Sequence, residues 1–242
     1  MLSLYMNITK NILTELKSHK NKEKEEFFPR FFKTGEGEYG QGDIFWGLTV
    51  PNIRSIAMKY YKDISFYEIK ELVQSPIHEV RLTGYLILTY KFEKADLENK
   101  ECIVAFYLDN LEGVNNWDIV DLSCYKILGE YLILKPEMKG ELYKLADSNN
   151  LWKERIAIVS TYAFIKRGMV EDTLKISKRL LNHKHDLIHK AIGWMLREVG
   201  KRDTIALRDF LDKNLQYIPR TTLRYAIERM DKDERLRYLN TK

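Results

Sequence analysis

Apolar residues recur at steps of three and four along almost the whole chain, the spacing that turns one face of a helix toward a core. The pattern predicts helices over 3–19, 22–33, 51–62, 65–74, 77–91, 96–111, 116–133, 136–147, 151–167, 171–181, 186–200, 203–214, 219–229 and 231–239. No segment shows the two-residue alternation of a half-buried strand. Five prolines and twelve glycines in 242 residues suit a chain that is helix nearly throughout. Pro51 stands where a first helical turn accepts it.

Four segments look alike: EVRLTGYLILTY (79–90), ERIAIVSTYAFI (154–165), IHKAIGWMLREV (188–199) and TLRYAIERM (222–230), with NNWDIVDLSCYKIL between the first two. Arg81, Trp117, Arg155, Lys190 and Arg224 mark steps of 34 to 38 residues. That period fits two-helix repeats of the HEAT kind, stacked into a superhelix with one concave face. The expected fold is all-α: one HEAT-like solenoid of about six helix pairs over residues 1–242, with a concave cleft for a long ligand. The stretch TGEGEYGQGD (34–43) holds four glycines and reads as a loop. It lacks the GxxxxGKS or GxxxxGKT pattern and follows helix, so a structural or DNA-contacting loop is expected there, not a nucleotide site.

Composition narrows the class only modestly. A net charge of +5, from 40 basic and 35 acidic residues, does not by itself specify nucleic acid or membrane. The longest apolar runs are too short to span a bilayer. With only Cys102 and Cys124 and an amphipathic rather than signal-like start, a reduced, cytosolic setting without disulfides is expected. The histidines 183, 185 and 189 lack a known ligand pattern, so they read as surface residues and no metal is expected.

Three places bear candidate chemistry. In NNWDIVD (115–121), Asn115 or Asn116 can cap a helix and Asp118 suits its first turn. Asp121 is left over, one turn beyond Trp117 on the same face. A carboxylate in so apolar a helix must be partnered, face a cavity or be protonated. On 186–200, Ile188, Ile192, Leu196 and Val199 form one stripe, while Trp194 lies opposite it between Lys190 and Arg197. An aromatic between cations suits an anion-facing side, or packing on a neighbouring repeat. On 151–167, Arg155, Tyr162 and Lys166 share a stripe that is either functional or a solvated flank.

Taken together, WDIVD (117–121), LWKERIAI (151–158) and HKAIGWMLRE (189–198) resemble the bacterial AlkD-type DNA alkylation repair glycosylases. The stretch FFKTGEGEYGQGDIFWGLTVPNIR (31–54) looks like a branch of that family, and the likeness runs from about residue 25 to 230. The resemblance implies a monomeric, cofactor-free and metal-free enzyme. It would grip duplex DNA, nucleoid-associated in the cytoplasm, and hydrolyse the N-glycosidic bond of cationic 3- and 7-alkylpurines without obligatory base flipping. Asp121 then matches the catalytic aspartate, Trp117 and Trp194 the aromatics near the lesion's sugar, and Arg155 the arginine that contacts the DNA backbone. Lys190, Arg197, Lys166, Lys33 and Arg54 complete the expected DNA-binding set. The chain departs from the family where some members carry tyrosine followed by lysine: here Phe31 or Phe32 precedes Lys33. The glycine-rich loop is also longer. Two other readings stay open: a non-catalytic binder of damaged or branched DNA, and a HEAT-like protein-interaction scaffold.

Overall fold

The computed structural model describes residues 7–241. The described residues contain no β-strand, and their extended pairing is a parallel bridge between Ile44 and Ile77. Among the described residues sixteen α-helices follow one another in two compact units that meet in sequence between Ser123 and Cys124.

The first unit contains α1 (Ile8–Ser18), α2 (Lys22–Phe31), α3 (Val50–Tyr60), α4 (Phe66–Val73), α5 (His78–Lys94), α6 (Leu97–Asp109) and nearly all of α7 (Trp117–Cys124). Polar side chains set several starts: Asn7, Asn21 and Asp96 each accept a backbone N–H of the first turn, and Ser65 with Glu68 completes a capping box. These groups occupy donors that a helix cannot satisfy internally. The Glu68 carboxylate also accepts the N–H of Ile8 at 2.9 Å, tying α4 to α1. Helix α5 forms the centre of this unit and is buried on nearly every side, so its apolar residues show no clear stripe.

The second unit contains α8 (Glu130–Leu134), α9 (Gly140–Ala146), α10 (Leu151–Ser160), α11 (Tyr162–Ile165), α12 (Glu171–Leu180), α13 (Asp186–Gly200), α14 (Thr204–Asn214), α15 (Arg220–Ala226) and α16 (Lys232–Thr241). Helix α13 is its core element, with Ile188, Ile192, Met195, Leu196 and Val199 fully buried.

Every expected helix is present. Of the first, residues 3–6 lie outside the described residues. Two are interrupted. The 116–133 helix passes through a π-helical turn at Tyr125–Gly129, where a Cβ on Gly129 would lie 2.3 Å from the Ser160 carbonyl. A wide turn and a missing side chain let two backbones approach there. The 151–167 helix breaks at Thr161, whose hydroxyl turns back to the Ile158 carbonyl at 2.6 Å.

Candidate functional site

The start of α7 is held by a buried polar network. His78, 2% exposed, opens α5 between two carboxylates. Its Nε2 lies 2.8 Å from Asp118 Oδ2, and its Nδ1 lies 3.3 Å from Asp43 Oδ2. Arg81, one turn further along α5, donates to Asp43 Oδ1 at 2.5 Å, to Asn115 Oδ1 at 2.9 Å and to the Ser75 carbonyl at 2.8 Å. Asn115 and Asn116 donate in turn to Asp43. Two cations thus face two anions among largely buried side chains, the arrangement that lets buried charge persist.

Burial opposes the charge on His78, yet the paired aspartates raise it to about 9, so the imidazolium is doubly charged-assisted at neutral pH. Burial likewise works against the Asp43 carboxylate, but His78 and Arg81 hold it below the usual carboxylate range. Asp118 is therefore more than a first-turn acceptor. It does accept the N–H of Ile119 at 2.8 Å, but it is buried and its second oxygen meets His78.

The glycine-rich loop delivers Asp43 to this network and is structural. Its ends are closed by Gly40 N–H donating to the Lys33 carbonyl at 2.9 Å and His78 N–H donating to the Ile44 carbonyl at 2.9 Å. Beyond it, Glu79, 1% exposed, accepts the backbone N–H groups of Trp46, Gly47 and Leu48 at 2.8–3.1 Å. Gly47 adopts φ +77, and a Cβ there would lie 2.2 Å from the Asn21 carbonyl, so only glycine fits.

Aromatic rings carry the network to Trp117. Phe45 stacks on His78 at 4.7 Å, Phe32 stacks on Phe45 at 4.9 Å, and Trp117 stacks on Phe32 at 5.3 Å. Phe31, half exposed, meets the Trp117 edge at 5.9 Å. Both phenylalanines at the tyrosine-like position therefore touch Trp117. Asp121 follows one turn later on α7 and is partly exposed. Lys33 is exposed in the left-handed region at φ 56, and Arg54 is half-buried on α3.

In the second unit, Trp194 is partly exposed and lies 6.0 Å from Tyr162. Tyr162 meets Tyr125 edge-on at 5.2 Å, and the Lys166 ammonium lies 5.4 Å from the Tyr125 ring and 5.8 Å from the Tyr162 ring. The expected cations are paired with carboxylates: Lys166 with Glu130 at 3.4 Å, Lys190 with Asp186 at 2.7 Å, and Arg197 with Glu228. The Lys190 hydrogen bond holds Asp186 below the ordinary range.

Arg155 does not lie on a solvated flank. It is 5% exposed and donates through Nη1 to the Leu187 carbonyl at 2.5 Å, in the first turn of α13. The histidines are corrected: all three are half-buried and bonded into the chain. His183 pairs with buried Glu154 at 3.0 Å, His185 accepts the Leu187 N–H, and His189 meets the His183 carbonyl. Burial pushes the Glu154 carboxyl up, against the pull of His183. Among the described residues no group of three or more His, Cys, Asp or Glu could hold a metal, and no helix is long and apolar enough to cross a membrane.

Sequence reasoning missed His78, Asp43 and Glu79. A signal was present: His78, Glu79 and Arg81 crowd the first turn of an otherwise apolar helix, and each must find a partner.

Comparison with known proteins agrees with this architecture. The model of the family described as DNA alkylation repair enzyme matches residues 12–230. Among solved structures, a predicted DNA alkylation repair enzyme from Enterococcus faecalis superposes with a TM-score of 0.67 at 17% identity, covering 88% of this chain and 98% of its own. AlkD2 from Streptococcus mutans superposes with a TM-score of 0.51 at 19% identity, covering 92% and 99%. No curated protein matches the chain.

Proposed function

Because the chain belongs to the DNA alkylation repair enzyme family, we propose that it is a DNA glycosylase acting on cationic 3- and 7-alkylpurines in duplex DNA. The observation that carries the reading is Asp121, a partly exposed carboxylate one helical turn beyond Trp117, on a helix whose start is pinned by buried ion pairs.

An alkylated purine already bears a positive charge, so its departure needs no proton. As the bond from C1′ to N9 breaks, its electron pair neutralises the purine and the sugar becomes an oxocarbenium ion. Water adds to C1′ and its proton passes to a carboxylate or to solvent. A negative charge and aromatic faces stabilise the developing sugar cation: each cation–π contact contributes roughly 0.5–2 kcal/mol, and a carboxylate that orients or deprotonates water contributes about 10²–10⁴ in rate. Asp121 takes the carboxylate role, and Trp117 and Trp194 the aromatic one. Arg155 acts by positioning, since its bond to Leu187 fixes the start of the helix bearing Trp194. Lys33 and Arg54, which make no ion pair among the described residues, contact phosphates directly. Lys190 joins them by exchanging its exposed partner Asp186, at a cost of about 0.2–1 kcal/mol, Lys166 by leaving half-buried Glu130, and Arg197 by turning a second guanidinium nitrogen to the phosphate while Glu228 keeps the first.

The test is discrimination by charge. Duplexes carrying cationic 7-methylguanine or neutral hypoxanthine are incubated with the protein, and the released bases are quantified. The reading predicts release of 7-methylguanine and retention of hypoxanthine. Equal release of both would refute it.

A further inference from the structure

The second unit has a cavity of about 690 Å³ lined by Arg220, Arg224 and Arg235, together with Tyr225 and Glu228. Its charge is unbalanced. Glu228, its lining carboxylate, accepts the Arg197 guanidinium. Arg220 donates to the Leu239 carbonyl at 2.9 Å, which fixes the side chain without neutralising it. Arg224 and Arg235 are exposed and have no carboxylate partner among the described residues. They differ in this from Lys166, Lys190 and Arg197, which all have one.

The cavity is built onto the helix that carries Trp194. Thr222 Oγ1 donates to the His189 carbonyl at 3.0 Å. At Gly193 a Cβ would lie 2.5 Å from Tyr225 Cβ and 2.7 Å from the Thr222 carbonyl. Helix α15 therefore lies directly against the backbone of α13 at the residue before Trp194, and Tyr225 is the contact point.

We infer that this cavity is a phosphodiester-binding site, which holds the DNA backbone through Arg224 and Arg235 beside the helix bearing Trp194. The inference rests on the DNA reading above. Guanidinium groups suit it: their planar donor forks match phosphate oxygens two at a time. Because these two arginines are not already paired, a phosphate gains their full charge without displacing a carboxylate. The +3 of the arginines against one spent carboxylate favours the dense charge of a nucleic acid.

The test measures binding of a labelled, unmodified duplex of about 16 base pairs between roughly 50 and 200 mM salt. Wild type is compared with the double variant Arg224→Gln/Arg235→Gln and with Lys175→Gln, an exposed lysine paired with Glu171 on α12. Each lost phosphate contact lowers the slope of log affinity against log salt by about 0.9. The double variant should lose about two units of slope and on the order of 10- to 100-fold in affinity at 0.1 M salt, while Lys175→Gln matches wild type. Arg224→Lys/Arg235→Lys, which keeps both charges, should restore most of the slope.

An unchanged slope in a folded double variant, from a wild type that does excise 7-methylguanine, overturns this site and leaves the glycosylase reading intact. A wild type that binds with the predicted variant losses but excises nothing supports the site and overturns the glycosylase reading. Tighter binding of a polyglutamate peptide than of the duplex, lost in the double variant, assigns the cavity to an acidic protein and overturns the inference. A wild type that does not bind the duplex overturns both.

Discussion

Replacing His78 with glutamine removes one buried cation and leaves Asp118 without its partner. The size of the effect follows from the titration. Folding raises His78 from 6.5 to about 9, and each unit corresponds to about 1.4 kcal/mol, so its protonation stabilises the fold by about 3 kcal/mol. The sign follows from the raised value: the native state binds the proton more tightly than the unfolded chain. The contribution is fully present below about pH 6.5, shrinks as pH rises from there, and is lost above about pH 9. Urea denaturation of wild type and His78→Gln at about pH 6, 7.5 and 9.5 reads it directly. The variant should be less stable at pH 6, and the gap should narrow by about 3 kcal/mol on going to pH 9.5. Titrations common to both proteins cancel in the difference. A gap that stays constant across this range would refute the charged imidazole between Asp43 and Asp118.

Further outcomes follow from the same unit. Glu79→Gln sets a side-chain donor or a weaker acceptor against three converging backbone N–H groups; it should cost about 2–4 kcal/mol, read as a Tm lower by about 6–12 °C. Gly47→Ala forces a side chain into the left-handed region and against the Asn21 carbonyl; urea denaturation should show a loss of about 2–4 kcal/mol. Trp117→Ala should slow single-turnover release of 7-methylguanine about 2- to 30-fold, with Trp117→Phe falling between it and wild type. Equal rates for the alanine and phenylalanine variants would remove the aromatic face from the mechanism.

The helices were legible because their periodicity is local, and the interruptions were not because their causes are distant. The turn at Tyr125–Gly129 answers to Ser160, some thirty residues away in sequence. The repeated basic position shows the same limit. Arg81 and Arg155 are buried because a carboxylate or a carbonyl meets them, whereas Arg224 stands exposed. Nothing in the repeat itself separates these fates. On a helical wheel Asp118 reads as a first-turn acceptor. Its role as partner of His78 depends on a contact forty residues apart. Trp117 and Asp121 were found as a pair by spacing alone, but the rings that pack Trp117 come from α2 and the loop after it.

The proposed chemistry rests on one carboxylate, Asp121, and base release reads its contribution. Methylated duplex DNA is incubated with wild type and with Asp121→Asn, and free 7-methylguanine is measured beside duplex affinity. Wild type should release the base, and the variant should lose on the order of 10²–10⁴ in rate while its affinity stays within a fewfold of wild type. Release by the variant at the wild-type rate, or none from a folded wild type that binds the duplex, would contradict the proposed chemistry.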